Sequence, residues 1–533
     1  MLGAETGLNF HGWHVLEVST LLTQTPAGLV EFHQKMRKFG RRKICAWCYT
    51  ICMTLSIPST GKSKNEVLDA MRAARDHDVQ WQKGRAFSLV YHAGKDVDEL
   101  LKEASLLFFS ENGLNPTAFP SLRKFETEIV AMTAALLGGG EDTAGSVTSG
   151  GTESLLMAVK TARDWARKNR PEIKAPEMIL PITGHPAFEK ASEYFGVRVV
   201  HIPVRDDYRA DVQAARKAVT ANTILMVGSA PAYPHGVVDP IRELAAIAQE
   251  HGILFHTDAC VGGFMLPFVR KLGNTIPDFD LSVPGVTSIS ADLHKYGYAA
   301  KGASVILYKT AQLRRFQMFV YADWPGGIYP SPAMGGTRPG GPIAAAWAVM
   351  NYLGEAGYLE MTDLVLQATR RLQAGVNAVD GIKVLSNPEM SVFAIASDGL
   401  DVYALADELT ARNWHLDRQQ FPPTLHMTVQ FGHIGVVEEF LQDLSAAAKV
   451  VRRPGFEKTA NSWLLKLANL LVRILPERWV TWLMEKASHL LGGGGGLPGK
   501  MAPMYGLIGS LPNRGDLREM VLDLLDGMTR YKG

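Results

Sequence analysis

The chain has 533 residues, 47% of them hydrophobic, and its 55 basic and 53 acidic residues leave a formal charge of +2. That length suits two or three domains, and the near-neutral balance excludes a global field built for nucleic acid or acidic polymers. Four cysteines, three of them bunched as Cys45, Cys48 and Cys52 with Cys260 far away, do not form a secreted disulfide framework, so a reducing, cytoplasmic setting is expected.

No run within the first 60 residues is apolar enough to span a bilayer, and none has the charged-then-apolar form of a signal peptide. Lys35, Arg37, Lys38, Arg41, Arg42 and Lys43 precede an apolar stretch over 44–58 with Trp47 and Tyr49. Two readings stand: a basic patch resting peripherally on an anionic membrane, or an arm packed on a partner subunit. Cys45-x-x-Cys48 lacks the second pair or the histidines that would complete a metal site, so no metal is expected.

Helical periodicity runs over 65–75, with Val67, Leu68 and Met71 on one face, and returns over 96–109 and 119–137. Asn112-Gly-Leu-Asn115-Pro116 reads as a turn between the last two. T-S-G-G-T-E-S follows at 148–154, and Leu155, Val159, Ala162 and Ala166 then share a helical face, which puts Gly150, Gly151 and Thr152 at a helix start. Free N–H groups and the positive end of the dipole make such a start a phosphate cradle, although an ordinary loop ahead of a helix has the same letters.

Apolar, β-rich runs at 178–182, 198–204, 223–228, 253–257, 287–290 and 304–308 alternate with helical segments, which predicts an α/β domain with a mostly parallel sheet. Ligands of such sheets bind beyond the carboxyl ends of the strands. His185, Ser229, Asp258 and Lys295 each follow a predicted strand. Singly they read as a loop histidine, a turn serine, a capping aspartate and a surface lysine; together they read as a site. Lys295 lies in S-I-S-A-D-L-H-K-Y-G-Y, where a buried amine attacks carbonyls and can hold pyridoxal 5'-phosphate (PLP) as a Schiff base. Asp258 would keep the pyridine nitrogen protonated, His185 would stack on the ring, and Gly150, Gly151, Thr152 and His294 would take the phosphate.

From about residue 59 to 451 the chain resembles the sphingosine-1-phosphate lyases, within the fold-type I, group II decarboxylase-like PLP enzymes. The motifs are W-Q-K-G-R (81–85), F-P-S-L-R-K-F-E (119–126), V-T-S-G-G-T-E-S (147–154), G-H-P-A-F-E-K-A (184–191), P-H-G-V-V-D-P (234–240), H-T-D-A-C-V-G-G-F (256–264), G-V-T-S-I-S-A-D-L-H-K-Y-G-Y-A-A-K-G (285–302), D-W-P-G-G-I-Y (323–329) and G-T-R-P-G-G (336–341). The resemblance implies PLP-dependent retro-aldol cleavage of a phosphorylated long-chain base between C2 and C3, and a homodimer with sites at the subunit interface. It implies catalytic roles for Lys295, Lys301, Tyr91 and Tyr233, and substrate contacts for Tyr91, Asn112, Asn115 and Arg338. It also implies an N-terminal segment over 1–110, a PLP-binding large domain over 111–353, and a smaller C-terminal α+β domain over 354–533.

The chain departs from the family twice. Asn115 replaces the family's active-site histidine, and asparagine neither carries that charge nor shuttles a proton. An insertion over about 456–498 puts Trp463, Leu467, Leu470, Leu471 and Ile474 on one helical face and continues past Pro476 through Trp479, Leu483 and Lys486 to a run of glycines. It suits a membrane interface, extra packing or a lid. A group II amino-acid decarboxylase and a non-catalytic membrane-associated scaffold are the competing functions.

Overall fold

The computed structural model describes residues 57–453 and residues 518, 519, 521, 522, 525 and 526. The basic cluster over 35–43, the Cys45-x-x-Cys48 pair and the insertion over 456–498 lie outside the described residues. The chain divides into two compact units, Met1–His77 with Arg518–Gly533, and Asp78–Leu517. In the first, the helix Lys64–Ala74 opens on a capping box in which Ser63 and Glu66 satisfy each other's backbone N–H groups.

The second unit is built on a sheet of seven strands: β1 (Ala144–Thr148), β2 (Glu177–Pro181), β3 (Arg198–Ile202), β4 (Thr223–Ser229), β5 (Leu254–Asp258), β6 (Ser288–Ala291) and β7 (Ser304–Tyr308). Their order is β1-β7-β6-β5-β4-β2-β3. β3, β2, β4, β5 and β6 pair in parallel, and β7 alone runs against its neighbours β6 and β1. Strands covered on both faces need continuous apolar runs, and β4 is buried at every position.

All six predicted strands form, most of them displaced by a residue or two at an end. Within this sheet β1 is the strand the pattern did not predict. Its sequence A-G-S-V-T carries no apolar run, and what makes it a strand is antiparallel pairing with β7 from Ala144↔Tyr308 to Thr148↔Ser304. The fold class is otherwise as expected, a mostly parallel α/β sheet with a smaller α+β region after it.

Past a short hairpin of β8 (Phe319–Tyr321) and β9 (Tyr329–Ser331), the helix Gly340–Asn377 breaks at Gly354, whose φ of 55° and ψ of −174° are not helical. A four-stranded antiparallel sheet follows in the order β10-β11-β13-β12, made of β10 (Ile382–Leu385), β11 (Val392–Ser397), β12 (Asp417–Gln419) and β13 (Thr424–Thr428).

The segment after Asp78 joins this small sheet. Phe87 N–H donates to His415 O at 3.1 Å, and Thr428 N–H donates to Phe87 O at 2.9 Å. Phe87 stacks on His433 at 4.2 Å, and Arg85 lies over the Trp414 ring at 4.2 Å. The W-Q-K-G-R stretch thereby anchors the chain that carries Tyr91 toward the large sheet.

Candidate active site

The site forms where β4, β5 and β6 end. Ser229 pairs with Asp258 and Asp258 with Ser290, so three polar residues stand in one row across the sheet. The turn after β6 then presents Asp292, His294 and Lys295 beside the start of the helix Gly151–Asn169.

Lys295 is ion-paired to Asp292, with Lys295 Nζ 2.9 Å from Asp292 Oδ2 and the carboxylate only 1% exposed. Burial alone would lower the Lys295 ammonium, but the acidic groups around it, Asp292 foremost with Cys260 and Asp258, together outweigh that and hold the amine well above its ordinary value. Burial likewise opposes the charge on Asp292, yet Lys295 and His294 bring its carboxyl below the usual range. Asp292 Oδ1 is buried and has no hydrogen-bond partner among the described residues.

His294 accepts the Ala303 N–H on Nδ1 at 3.3 Å, which puts the proton of its neutral ring on Nε2, 3.6 Å from Asp292 Oδ2. Burial lowers this imidazole to about 4, so it is neutral at physiological pH. The helix start comes close to both groups because it has no side chain: a Cβ on Gly151 would lie 2.7 Å from Asp292 Oδ2, and one on Gly150 3.2 Å from His294 Cε1. Thr152 stands exposed on the first turn, and buried Glu153 ties the loop by accepting the Ser149 N–H at 2.6 Å and the Met334 N–H at 2.7 Å.

This cradle fits PLP. Asp258 Oδ1 accepts the Cys260 N–H at 3.1 Å, while its second oxygen takes no hydrogen bond among the described residues and remains for a protonated ring nitrogen. His185 is exposed after β2, its ring fixed by the Ala187 N–H donating to Nδ1 at 3.1 Å. Ser229 is buried, and its N–H donates to Asp239 Oδ2 at 2.8 Å.

Tyr91, Tyr233 and Lys301 gather around the lysine. Lys301 Nζ donates to His294 O at 3.3 Å and sits 5.2 Å from the centre of the Tyr91 ring. Partial loss of water, with the Lys295 ammonium nearby, lowers Lys301 to about 8. Tyr233 donates its hydroxyl to Asp417 Oδ2 at 3.2 Å and stacks on His426 at 3.9 Å. Burial raises both phenols above their ordinary value, so each keeps its proton near neutrality.

The other substrate residues that the resemblance implies, Arg338, Asn115 and Asn112, form a separate loop cluster. Arg338 makes an ion pair with Glu126, donates to Gly113 O at 3.1 Å and reaches Val147 O at 3.5 Å at the end of β1. Its charge is therefore engaged within the chain. Asn115 Oδ1 accepts from Thr117 N–H at 2.9 Å and from the Thr117 hydroxyl at 2.7 Å, which makes it the cap of its own turn. Asn112 Oδ1 accepts the Leu114 N–H at 3.2 Å.

Residue types at strand ends pointed to Lys295, Asp258 and Ser229. They did not single out Asp292, Glu153, Asp417 or His426. Asp292 had a local signal, three residues ahead of Lys295 on the same turn; Asp417 and His426 had none.

Sheet, cradle and lysine define a PLP-dependent enzyme of fold type I. Residues 52–395 match the pyridoxal-dependent decarboxylase conserved domain. The sphingosine-1-phosphate lyase of Arabidopsis thaliana is 40% identical over 469 residues, covering 86% of this chain and 79% of that one. Sphingosine-1-phosphate lyase 1 of Rattus norvegicus is 43% identical over 408 residues, covering 76% of this chain and 72% of that one. The solved sphingosine-1-phosphate lyase of Burkholderia pseudomallei superposes with a TM-score of 0.73 at 38% identity, covering 80% of this chain and 98% of that one. The chain belongs to the sphingosine-1-phosphate lyase family.

Proposed function

We propose that this protein is a PLP-dependent carbon–carbon lyase that cleaves sphingosine 1-phosphate, or a related phosphorylated long-chain base, between C2 and C3. The products are a fatty aldehyde and phosphoethanolamine. The observation that carries the reading is Lys295, ion-paired to buried Asp292 beside a glycine helix start, in a chain 40% identical to a sphingosine-1-phosphate lyase over most of its length. PLP, when bound, supplies the electron sink that accepts the charge left at C2.

The chain's own groups do the rest. Lys295 would hold the cofactor, with Asp292 fixing its amine in place. Asp258 would keep the ring nitrogen protonated, His185 would stack on the ring, and the Gly150–Thr152 turn with His294 would take the phosphate. Lys301, at about 8, is the group that can take the C3 hydroxyl proton near neutrality. Tyr91 and Tyr233 remain protonated; Tyr91 serves as a hydrogen-bond donor toward the substrate, while Tyr233, whose one O–H goes to Asp417, offers its oxygen as an acceptor. The Asn112–Asn115 turn and Arg338 stand in one loop cluster for the substrate phosphate, Arg338 after exchange of its Glu126 partner.

A second copy of the chain completes the assembly. The β8–β9 hairpin leaves Val320 62%, Trp324 53% and Ile328 72% exposed, and the loop after it joins the site through Met334 and Glu153. No helix among the described residues is long and apolar enough to cross a membrane. The basic cluster over 35–43 and the tryptophan-bearing stretch over 456–498 supply the chemistry for peripheral contact with an anionic lipid surface, which co-sedimentation with phosphatidylserine vesicles checks.

The deciding experiment records the visible absorbance of the PLP-loaded protein with sphingosine 1-phosphate and identifies the products by mass spectrometry. A band that changes as a long-chain aldehyde appears is expected, and Lys295→Ala is expected to lose both band and product. Carbon dioxide released from an amino acid, with no aldehyde from the phosphorylated base, would replace the lyase with a decarboxylase.

A further inference from the structure

One face of the small sheet reaches into the site from the far side. Residues two apart on a strand share a face, so His426 and Thr428 of β13 point the same way, and Asp417 of β12 lies directly opposite His426. Asp417 accepts the Tyr233 hydroxyl at 3.2 Å. His426 stacks under the Tyr233 ring at 3.9 Å with 22° between the planes. His426 Nε2 is 2.6 Å from the Thr428 hydroxyl, which lies beside Tyr91.

We propose that Asp417 and His426 are positioning residues of the lyase reaction: the carboxylate orients the Tyr233 hydroxyl, the imidazole fixes its ring, and Thr428 extends the same support to Tyr91. The inference rests on the reading above that Tyr233 acts on the substrate. It assigns a catalytic purpose to the small sheet, whose polar face would otherwise be a costly thing to bury. All three residues are buried or half-buried, and His426 is 0% exposed.

The arrangement gives Tyr233 a direction as well as a place. A carboxylate that accepts a phenol hydrogen bond favours the protonated phenol, so the clamp keeps Tyr233 from ionising, turns its one O–H to Asp417 and leaves the phenol oxygen to accept a hydrogen bond from the substrate. Asp417 is held at about 2 by hydrogen bonding from His415, with burial opposing, and so stays ionised. Burial lowers His426 to about 4, so its ring is neutral beneath the phenol. The other groups that face this cluster are His235 from the loop after β4, Lys295 from the turn after β6, His415 ahead of β12, and Tyr91.

The test compares wild type, Tyr233→Phe, Asp417→Asn and the double variant as full-length, PLP-loaded protein. For sphingosine 1-phosphate cleavage, Asp417→Asn is expected to lower kcat by about 10–100-fold, less than the roughly 100–10,000-fold of a proton-transferring group itself because Asp417 acts through Tyr233, with KM and the visible cofactor band near wild type. The double variant is expected to be no worse than Tyr233→Phe, and fully additive losses would overturn the clamp. A readout independent of turnover is ultraviolet difference titration of tyrosinate, wild type minus Tyr233→Phe and Asp417→Asn minus the double variant. Removing the carboxylate is expected to move the Tyr233 ionisation to lower pH, and identical curves would overturn the proposal. If Asp417→Asn does not fold, the wild-type difference decides, since a Tyr233 that titrates at the ordinary 10.0 has no such clamp. Wild type that releases no aldehyde would overturn the lyase reading while leaving the titration to judge the contact.

Discussion

Lys295 and Lys301 stand on one turn, six residues apart, and their surroundings pull them in opposite directions. Asp292 faces Lys295 at 2.9 Å and keeps its charge, whereas Lys301 meets another ammonium and gives up part of its own hydration. Two like groups are thus suited to the two tasks proposed for them, one to hold the cofactor and one to move a proton. Because the base form of Lys301 accumulates as pH rises through about 8, kcat is expected to climb along a limb centred there or higher, since Lys295 loses its repelling charge when it holds the cofactor. Lys301→Arg cannot deprotonate in this range and is expected to lower kcat by roughly 100-fold and flatten that limb, with KM less affected. A pH profile of aldehyde release checks it, and an unchanged limb would assign the base elsewhere.

At the scale of the element, the stretch over 81–92 does what its composition does not announce. Gly84 caps a short 3-10 turn with φ of 68°, and a Cβ there would lie 2.4 Å from Gly432 O and 2.9 Å from Val436 Cγ2. Phe87 then enters the core against Trp414, His433 and Phe440. The backbone contacts with His415 and Thr428 fix the register in which Tyr91 arrives. Gly84→Ala is expected to destabilise the protein by about 1–3 kcal/mol, the usual size of a strained backbone position, and to lower kcat by shifting Tyr91. Thermal denaturation of the full chain with steady-state kinetics at a temperature below the transition checks both effects. The resemblance marked this motif without saying what it does; its role is to attach the tyrosine-bearing segment to the small sheet.

For the whole molecule, the exposed hairpin bears on assembly. Tryptophan, isoleucine and valine held in water around β8 and β9 gain when a second copy covers them, and the loop that follows enters the site. Trp324→Glu combined with Ile328→Glu is expected to shift the protein from dimer to monomer and to reduce turnover. Sedimentation velocity with parallel kinetics checks it, and a dimer that persists unchanged would move the interface to another face.

The sequence by itself determined the α/β alternation, because strands buried on both faces need apolar runs that are visible as letters, and it placed Asp258, Ser229 and Lys295 at the ends of those runs. It also located the glycine helix start, since only a residue without a side chain lets the backbone approach Asp292 and His294 so closely. Tertiary structure decided what depends on pairing between distant stretches. β1 is a strand only because β7 lies beside it. Arg338 is held by Glu126, and Tyr233 by Asp417, which lies 184 residues further along the chain. Such contacts are set by how elements distant in the chain pack together, and no local periodicity records them.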